Sequence, residues 1–228
     1  MRSPKGNEGR APVFICPDAA KLQFPEYVAD PLNMSDVVQA AAELICDAVL
    51  ETVLGTPAVE GREIVLIAVG APASGKTTLL DCLSEETVEM KIESTFDDLS
   101  KARSLLLRIL EAGRRPVVLW AYLGDPKECV RRMFLRAEKI GRVEKLDVMA
   151  RSFCDVPKVL GTLRKEFGMI VNFHVVDNSG EKGEAKFVED VSSAGRKPGE
   201  YEMVRAALVQ LHSSNQRFQS NPDHEVRF

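Results

Sequence analysis

Residues 70–77 read Gly-Ala-Pro-Ala-Ser-Gly-Lys-Thr, with Thr78 following. Two glycines five positions apart, then a lysine and a hydroxyl, match G-x-x-x-x-G-K-[ST], a pattern with a physical purpose. Gly70 and Gly75 let the backbone curl so that its N–H groups face a single anion. Lys76 then reaches the β- and γ-phosphates of a nucleoside triphosphate, and the Thr77 hydroxyl ligates Mg²⁺. Ala73, Ser74 and Thr78 complete the candidate nucleotide contacts of this stretch. The plainer alternative is a glycine turn ahead of a helix.

Acids and amides form the next set. Lys91-Ile-Glu-Ser-Thr95 closes an apolar run whose carboxyl end belongs beside the loop, where open α/β sheets bind their ligands. Glu93 is therefore a candidate Mg²⁺-water ligand or acceptor base. Asp97 and Asp98 follow closely, but Thr95 and Asp98 also have the spacing of a helix N-cap and its third residue. Val175-Val-Asp-Asn-Ser179 ends another run, and Asp177 or Asn178 there can touch an adenine or simply end a strand in a turn.

The third set is basic. Residues 131–165 hold ten Lys or Arg against four Asp or Glu. Arg132 and Arg136 are four apart and share a helix face, and Arg142 lies just past Gly141, so the group can fold over a phosphate chain as an arginine lid. A solvated basic face is the alternative for any single one of them.

These residues need strands and helices to hold them. Residues 63–69, Glu-Ile-Val-Leu-Ile-Ala-Val, are a β-branched run too short for a buried helix, which predicts a central parallel strand leading into Gly70. A helix over Thr77–Leu83 aims its partly positive end at the same anion. Further runs at Val88–Ile92, Pro116–Tyr122 and Met169–Val176 alternate with helical patterns at 97–112, 126–140 and 155–167, the pattern of a parallel α/β sheet. Asp125-Pro-Lys-Glu128 has a capping acid, a first-turn proline and an acid at the third position, and Gly113, Gly141 and Gly168 sit at helix ends. Before the core, residues 1–33 carry Pro4, Pro12, Pro17, Pro25 and Pro31 and predict an extended arm with one short strand at Val13–Cys16. Ser35 then caps a helix that runs to Gly55. Residues 179–200 suggest a linker, and Tyr201–His212 an amphipathic helix before a polar tail. The division is thus an arm and helix over 1–60, a nucleotide-binding core over 61–180, and a linker, helix and tail over 181–228.

Composition narrows the function classes. The chain has 228 residues, 45% apolar and 28% charged, an ordinary globular balance. A net charge of -4 gives no drive toward nucleic acid or anionic lipid, and nucleic acid is disfavoured as a partner. The longest apolar stretch, residues 64–73, is half the ~20 needed to span a bilayer and is interrupted by Gly70 and Pro72. The first residues lack the apolar core of a secretory signal, so a cytoplasmic setting is expected. Five scattered cysteines and three scattered histidines form neither a disulfide framework nor a zinc site.

Together these blocks resemble the zeta-toxin family of P-loop kinases over about residues 63–180. The resemblance rests on the order of the loop at 70–77, Glu93-Ser-Thr95, the helix end at Gly113, the strand Val117–Tyr122 with Asp125-Pro126, the arginine block Arg131–Arg142 with Gly141-Arg142-Val143, and Val176-Asp-Asn-Ser179. It implies a three-layer P-loop fold with a mostly parallel sheet, ATP and Mg²⁺ as cofactors, and transfer of phosphate to a small hydroxylated acceptor, notably UDP-N-acetylglucosamine. By the same resemblance Lys76 and Thr77 bind triphosphate and metal, Glu93 is the acid near the acceptor, and Arg136 and Arg142 stabilise charge during transfer. A protein partner such as an antitoxin belongs to the same expectation. One feature departs from the family: its members place a long segment, with the aspartate base, between the loop helix and the acid-x-Thr strand, and here Lys76 and Glu93 are 17 residues apart. A nucleotide-binding switch or scaffold is the alternative from another class; a kinase of nucleic-acid ends is weakened by the acidic remainder and the single tryptophan.

Overall fold

The computed structural model describes residues 11–140, 144–180, 185–188 and 206. Six strands form one sheet in the order β1-β3-β2-β4-β5-β6. The strands are β1 (Val13–Ile15), β2 (Ile64–Val69), β3 (Val88–Ser94), β4 (Arg115–Tyr122), β5 (Asn172–Asp177) and β6 (Lys186–Val188). The first five are parallel, and β6 pairs antiparallel with β5. β2 is central and buried from Val65 to Val69, as a β-branched run covered on both faces must be. From β2 the chain moves to β3 on one side, then crosses back to β4 on the other. That reversal opens a crevice at the carboxyl end of β2.

The helices are α1 (Pro17–Lys21), α2 (Pro25–Ala29), α3 (Pro31–Met34), α4 (Gln39–Leu54), α5 (Lys76–Asp81), α6 (Leu99–Glu111), α7 (Pro126–Ile140) and α8 (Leu146–Phe167). One face of the sheet packs Val65, Ile67, Met90, Val118 and Trp120 against Leu50 of α4, Leu106 and Ile109 of α6, and Leu160 and Leu163 of α8. The other packs Leu66, Ala68, Val88 and Leu119 against Leu80 of α5. A third cluster joins α7, through Val130 and Met133, to Met149 and Phe153 of α8 beside Ala71 of the loop. This is an α/β fold with a mostly parallel sheet, as expected.

The N-terminal segment corrects the expectation of an extended arm. β1 is there, but Pro17, Pro25 and Pro31 each occupy the first turn of a short helix. A proline's fixed φ suits that position, where its missing N–H has no helical partner. Ser35 does not cap α4, which starts four residues later behind Val38 with no side-chain cap. The Ser35 hydroxyl accepts instead from the buried Lys21 ammonium at 2.9 Å, a bond that ties α1 to the end of α3.

Two further boundaries move. α8 begins at Leu146, well before 155, and runs through Pro157. The proline removes one helical hydrogen bond, and burial of Met149, Ala150, Phe153 and Cys154 upstream of it offsets that loss. Within the expected linker, residues 186–188 form the edge strand β6. The helix expected at Tyr201–His212 lies outside the described residues apart from the helical Ala206.

Arg114, 3% exposed, ties the bottom of the fold. Its guanidinium donates to Glu89 at 3.0 Å and to the carbonyls of Val53, Leu54, Thr56 and Ala112. Arg114→Ala leaves Glu89 and these carbonyls without their donor, so urea unfolding is expected to show a loss of about 3–5 kcal/mol.

Candidate functional site

The bend after β2 needs its glycines. Gly70 has φ +141°, and a Cβ there would lie 2.7 Å from the Ala121 carbonyl and 2.9 Å from Ser74 Oγ. Gly75 has φ +96°, and a Cβ there would collide with Asn178 Nδ2. Between them Ala73 stands at φ +61°, a left-handed conformation that costs a residue with a Cβ about 1–2 kcal/mol. Backbone strain held in place by its surroundings gathers at functional sites.

Lys76 opens α5 and folds back over the bend. Its ammonium donates to the carbonyls of Gly70 and Ala71, both at 3.0 Å. Desolvation lowers its pKa, and the charges of Glu93 and Asp18 oppose that shift without cancelling it. The helix behind it is fewer than two turns long and is pinned from below: the buried Lys91 donates to the Leu80 carbonyl and to Glu85, each at 2.8 Å. Thr77 and Thr78 are exposed on its first turn.

Glu93 stands at the carboxyl end of β3, beside Ala68 of β2. Its Oε1 is buried with no hydrogen-bond partner among the described residues. Burying a carboxylate oxygen unpaired is costly, and here it faces the same crevice as the Lys76 ammonium. Ser74 Oγ is also buried without a partner, but it lines a cavity of about 20 Å³ behind the loop, room for one water. Phe96, at φ +56°, turns the chain sharply after the strand. Asp97 accepts from Thr95 Oγ1 at 2.9 Å. Asp98 is itself the N-cap of α6, accepting from Lys101 N at 3.0 Å, rather than the third residue of a helix capped by Thr95, so the cap lies three positions later than the sequence spacing put it.

Across the bend Asn178 braces the loop, donating to the Ser74 carbonyl at 2.7 Å while its own N–H reaches Tyr122 O at 2.9 Å. Asp177 accepts from Ser179 N at 2.9 Å, a strand-end turn. Arg132 donates to the Asn178 carbonyl at 2.9 Å and to Glu128 at 2.8 Å. Arg136 reaches the other wall and pairs with Asp18 at 3.2 Å. Arg142 lies outside the described residues. The loop, Glu93, Asn178, Arg132 and Arg136 thus surround one crevice.

Two residues that the sequence did not single out join them. Register Ile15↔Ile92 sets Cys16 next to Glu93, and Asp18 follows on α1. The Cys16 thiol is pushed up to about 11 by burial, then by the Glu93 charge, so it is a neutral wall. Asp18 is the more interesting group, and a signal for it exists: Val13–Cys16 followed by Pro17-Asp18 repeats the β-run-then-acid pattern of Ile92-Glu93.

Among the described residues no group of three or more His, Cys, Asp or Glu could hold a metal ion, and no helix is long and apolar enough to cross a membrane. Thr77 and Glu93 are few donors, which suits Mg²⁺ held jointly with phosphate oxygens. Compared with models of known families and with curated proteins, the chain matches none.

The Arg132 anchor has a pH consequence. Glu128 is lowered from 4.5 to about 2, first by the hydrogen bond from Arg131, then by Arg132 and their charges. A depressed carboxyl stabilises the fold above its unfolded value and loses that contribution as pH falls through the folded one. Glu128→Gln is expected to flatten the acid limb of stability between about pH 4.5 and 2, measured by urea unfolding across that range.

Proposed function

We propose that the chain is an ATP-dependent phosphotransferase of P-loop, zeta-toxin-like type, acting on a small hydroxylated metabolite such as the nucleotide sugar UDP-N-acetylglucosamine. The observation that carries this reading is the bend itself. A half-buried lysine ammonium is tied down inside a glycine-turned loop at the carboxyl end of a central strand, opposite a buried carboxylate oxygen that has no hydrogen-bond partner among the described residues. Both groups are left for something to satisfy, and a triphosphate with its cation carries the matching charges.

In this reading the loop from Gly70 to Gly75, with Ala73 and Ser74, wraps the phosphates through backbone N–H groups, and Thr78 lies within reach of the same end. Lys76 exchanges its two carbonyl contacts for the β- and γ-phosphates. Thr77 and Glu93 would hold Mg²⁺, whose chemistry when bound is to neutralise charge on the β- and γ-oxygens. Arg132 and Arg136, together with Arg142, offset the charge that develops during transfer, so the protein acts by positioning and electrostatics. Asp177 and Asn178 border the nucleoside side of the loop.

A second reading is a nucleotide-binding switch or scaffold with little transfer. Its support is that Arg136 is engaged with the N-terminal segment, a contact that nucleotide would rearrange and a protein partner could sense.

Incubation with ATP, Mg²⁺ and a panel of nucleotide sugars, followed by mass spectrometry, separates the two. Phosphorylated product supports the transferase, and tight ATP binding without product supports the switch. Lys76→Ala is expected to lower turnover by at least about 10²–10³-fold with the fold intact; full activity in a folded variant refutes the site.

A further inference from the structure

Transfer to a hydroxyl needs a group that takes the hydroxyl proton, and the stretch between the loop and β3 does not supply one. Of the acids there, Glu85 is paired with Lys91, while Asp81 is exposed at the last residue of α5 and Glu86 is exposed in the turn after it; Glu89, within β3, is paired with Arg114. Glu93 faces the ammonium and is the natural metal-side acid. Past the strand ends, Asp97 accepts from Thr95 and Asp177 from Ser179, each held in its own local turn; a further carboxylate reaches the crevice from the N-terminal segment.

β1 extends the sheet beside β3, in parallel, so its carboxyl end opens into the same crevice as those of β2 and β3. Asp18 stands there in the first turn of α1. One oxygen, Oδ2, pairs with Arg136 at 3.2 Å, and Oδ1 lies 3.8 Å from the buried Lys21 ammonium. The side chain is 34% exposed, and among the described residues it is directed by cations on two different helices, Lys21 of α1 and Arg136 of α7. Its charge is felt at Lys76 and Cys16, in keeping with its position just past the carboxyl end of β1 beside Glu93. An aspartate held by cations is a weak base, and phosphoryl transfer through a loose transition state asks for no more than a weak, well-placed one.

We propose that Asp18, carried by the N-terminal segment, is the catalytic base that accepts the proton of the acceptor hydroxyl. The assignment rests on the phosphotransferase reading above. The hydroxyl oxygen forms a bond to the γ-phosphorus of ATP as the bond from that phosphorus to the β–γ bridging oxygen breaks. ADP leaves with the electron pair, and the proton passes to Asp18 Oδ and then to solvent. Residues 11–34 thereby become half of the active site: Lys21 and Ser35 fasten the segment, and Arg136 joins it to the lid helix.

The test uses the full chain as wild type, Asp18→Asn and Asp18→Glu, with Mg·ATP affinity by calorimetry and ADP formation with and without UDP-N-acetylglucosamine and related nucleotide sugars. Asp18→Asn is expected to lower turnover at saturating ATP about 10²–10⁴-fold with the ATP Kd within about threefold of wild type. Asp18→Glu, which keeps a carboxylate, should recover at least about tenfold over the amide variant, a rescue that a merely structural contact would not show; it also decides the matter if the amide variant folds poorly. Turnover of a folded Asp18→Asn within tenfold of wild type overturns the assignment. So does tighter ATP binding with faster turnover, because Asp18 would then be standing in for a phosphate. Wild type that binds ATP but forms no ADP removes the transferase reading and this assignment together, and is told apart from the other failures by needing no variant.

Discussion

The ammonium of Lys76 is held by two backbone carbonyls at 3.0 Å, in a bend that a Cβ at Gly70 or Gly75 would break. Two carbonyl dipoles do not replace bulk water around a charge, and the lowered pKa of the lysine reports that shortfall. The chain tolerates a partly desolvated cation beside a buried carboxylate oxygen that has no hydrogen-bond partner among the described residues, each a cost to stability on its own. The rest of the architecture serves to keep them there. β2 delivers the bend, Lys91 locks the short helix behind it, and Asn178 presses against it from β5.

The sheet order explains how distant segments converge. Because β2 has β3 on one side and β4 on the other, the carboxyl ends of both neighbours flank the loop, one bringing Glu93 and the other, through β5, bringing Asn178. β1 extends this edge, so a segment more than fifty residues ahead of Lys76 reaches the same crevice. The arginines close it from above, one tied to the β5 end and one to α1. The crevice is thus bounded by segments far apart in the sequence, from α1 to the end of β5, and the Arg136–Asp18 pair joins two of its walls.

What the sequence made legible was the local chemistry. A buried β-branched run, a glycine-lysine loop and helical periodicities are short-range patterns, and β2, the loop, α6 and α7 stand close to where those patterns put them. What it hid depended on tertiary partners. Prolines at 17, 25 and 31 read as breaks until their first-turn positions are known. Ser35 reads as a cap until Lys21 is seen to claim its hydroxyl. The helical pattern reads only from 155 because the first turns of α8 are held by tertiary packing of Met149, Phe153 and Cys154 against α7 and the loop, which carries the helix through Pro157. Asp18 was overlooked for the same reason: an acid near one terminus acquires meaning only when parallel pairing with β3 sets it beside Glu93.

The most direct measurement is a crystal structure of the full chain with Mg²⁺ and a non-hydrolysable ATP analogue. The account predicts the triphosphate inside the Gly70–Thr77 bend, Lys76 Nζ moved from the Gly70 and Ala71 carbonyls onto phosphate oxygens, and Glu93 Oε1 with a partner at last, direct or through a metal-bound water. A bend that stays closed on its own lysine, with the nucleotide elsewhere or absent at saturating concentration, would contradict it.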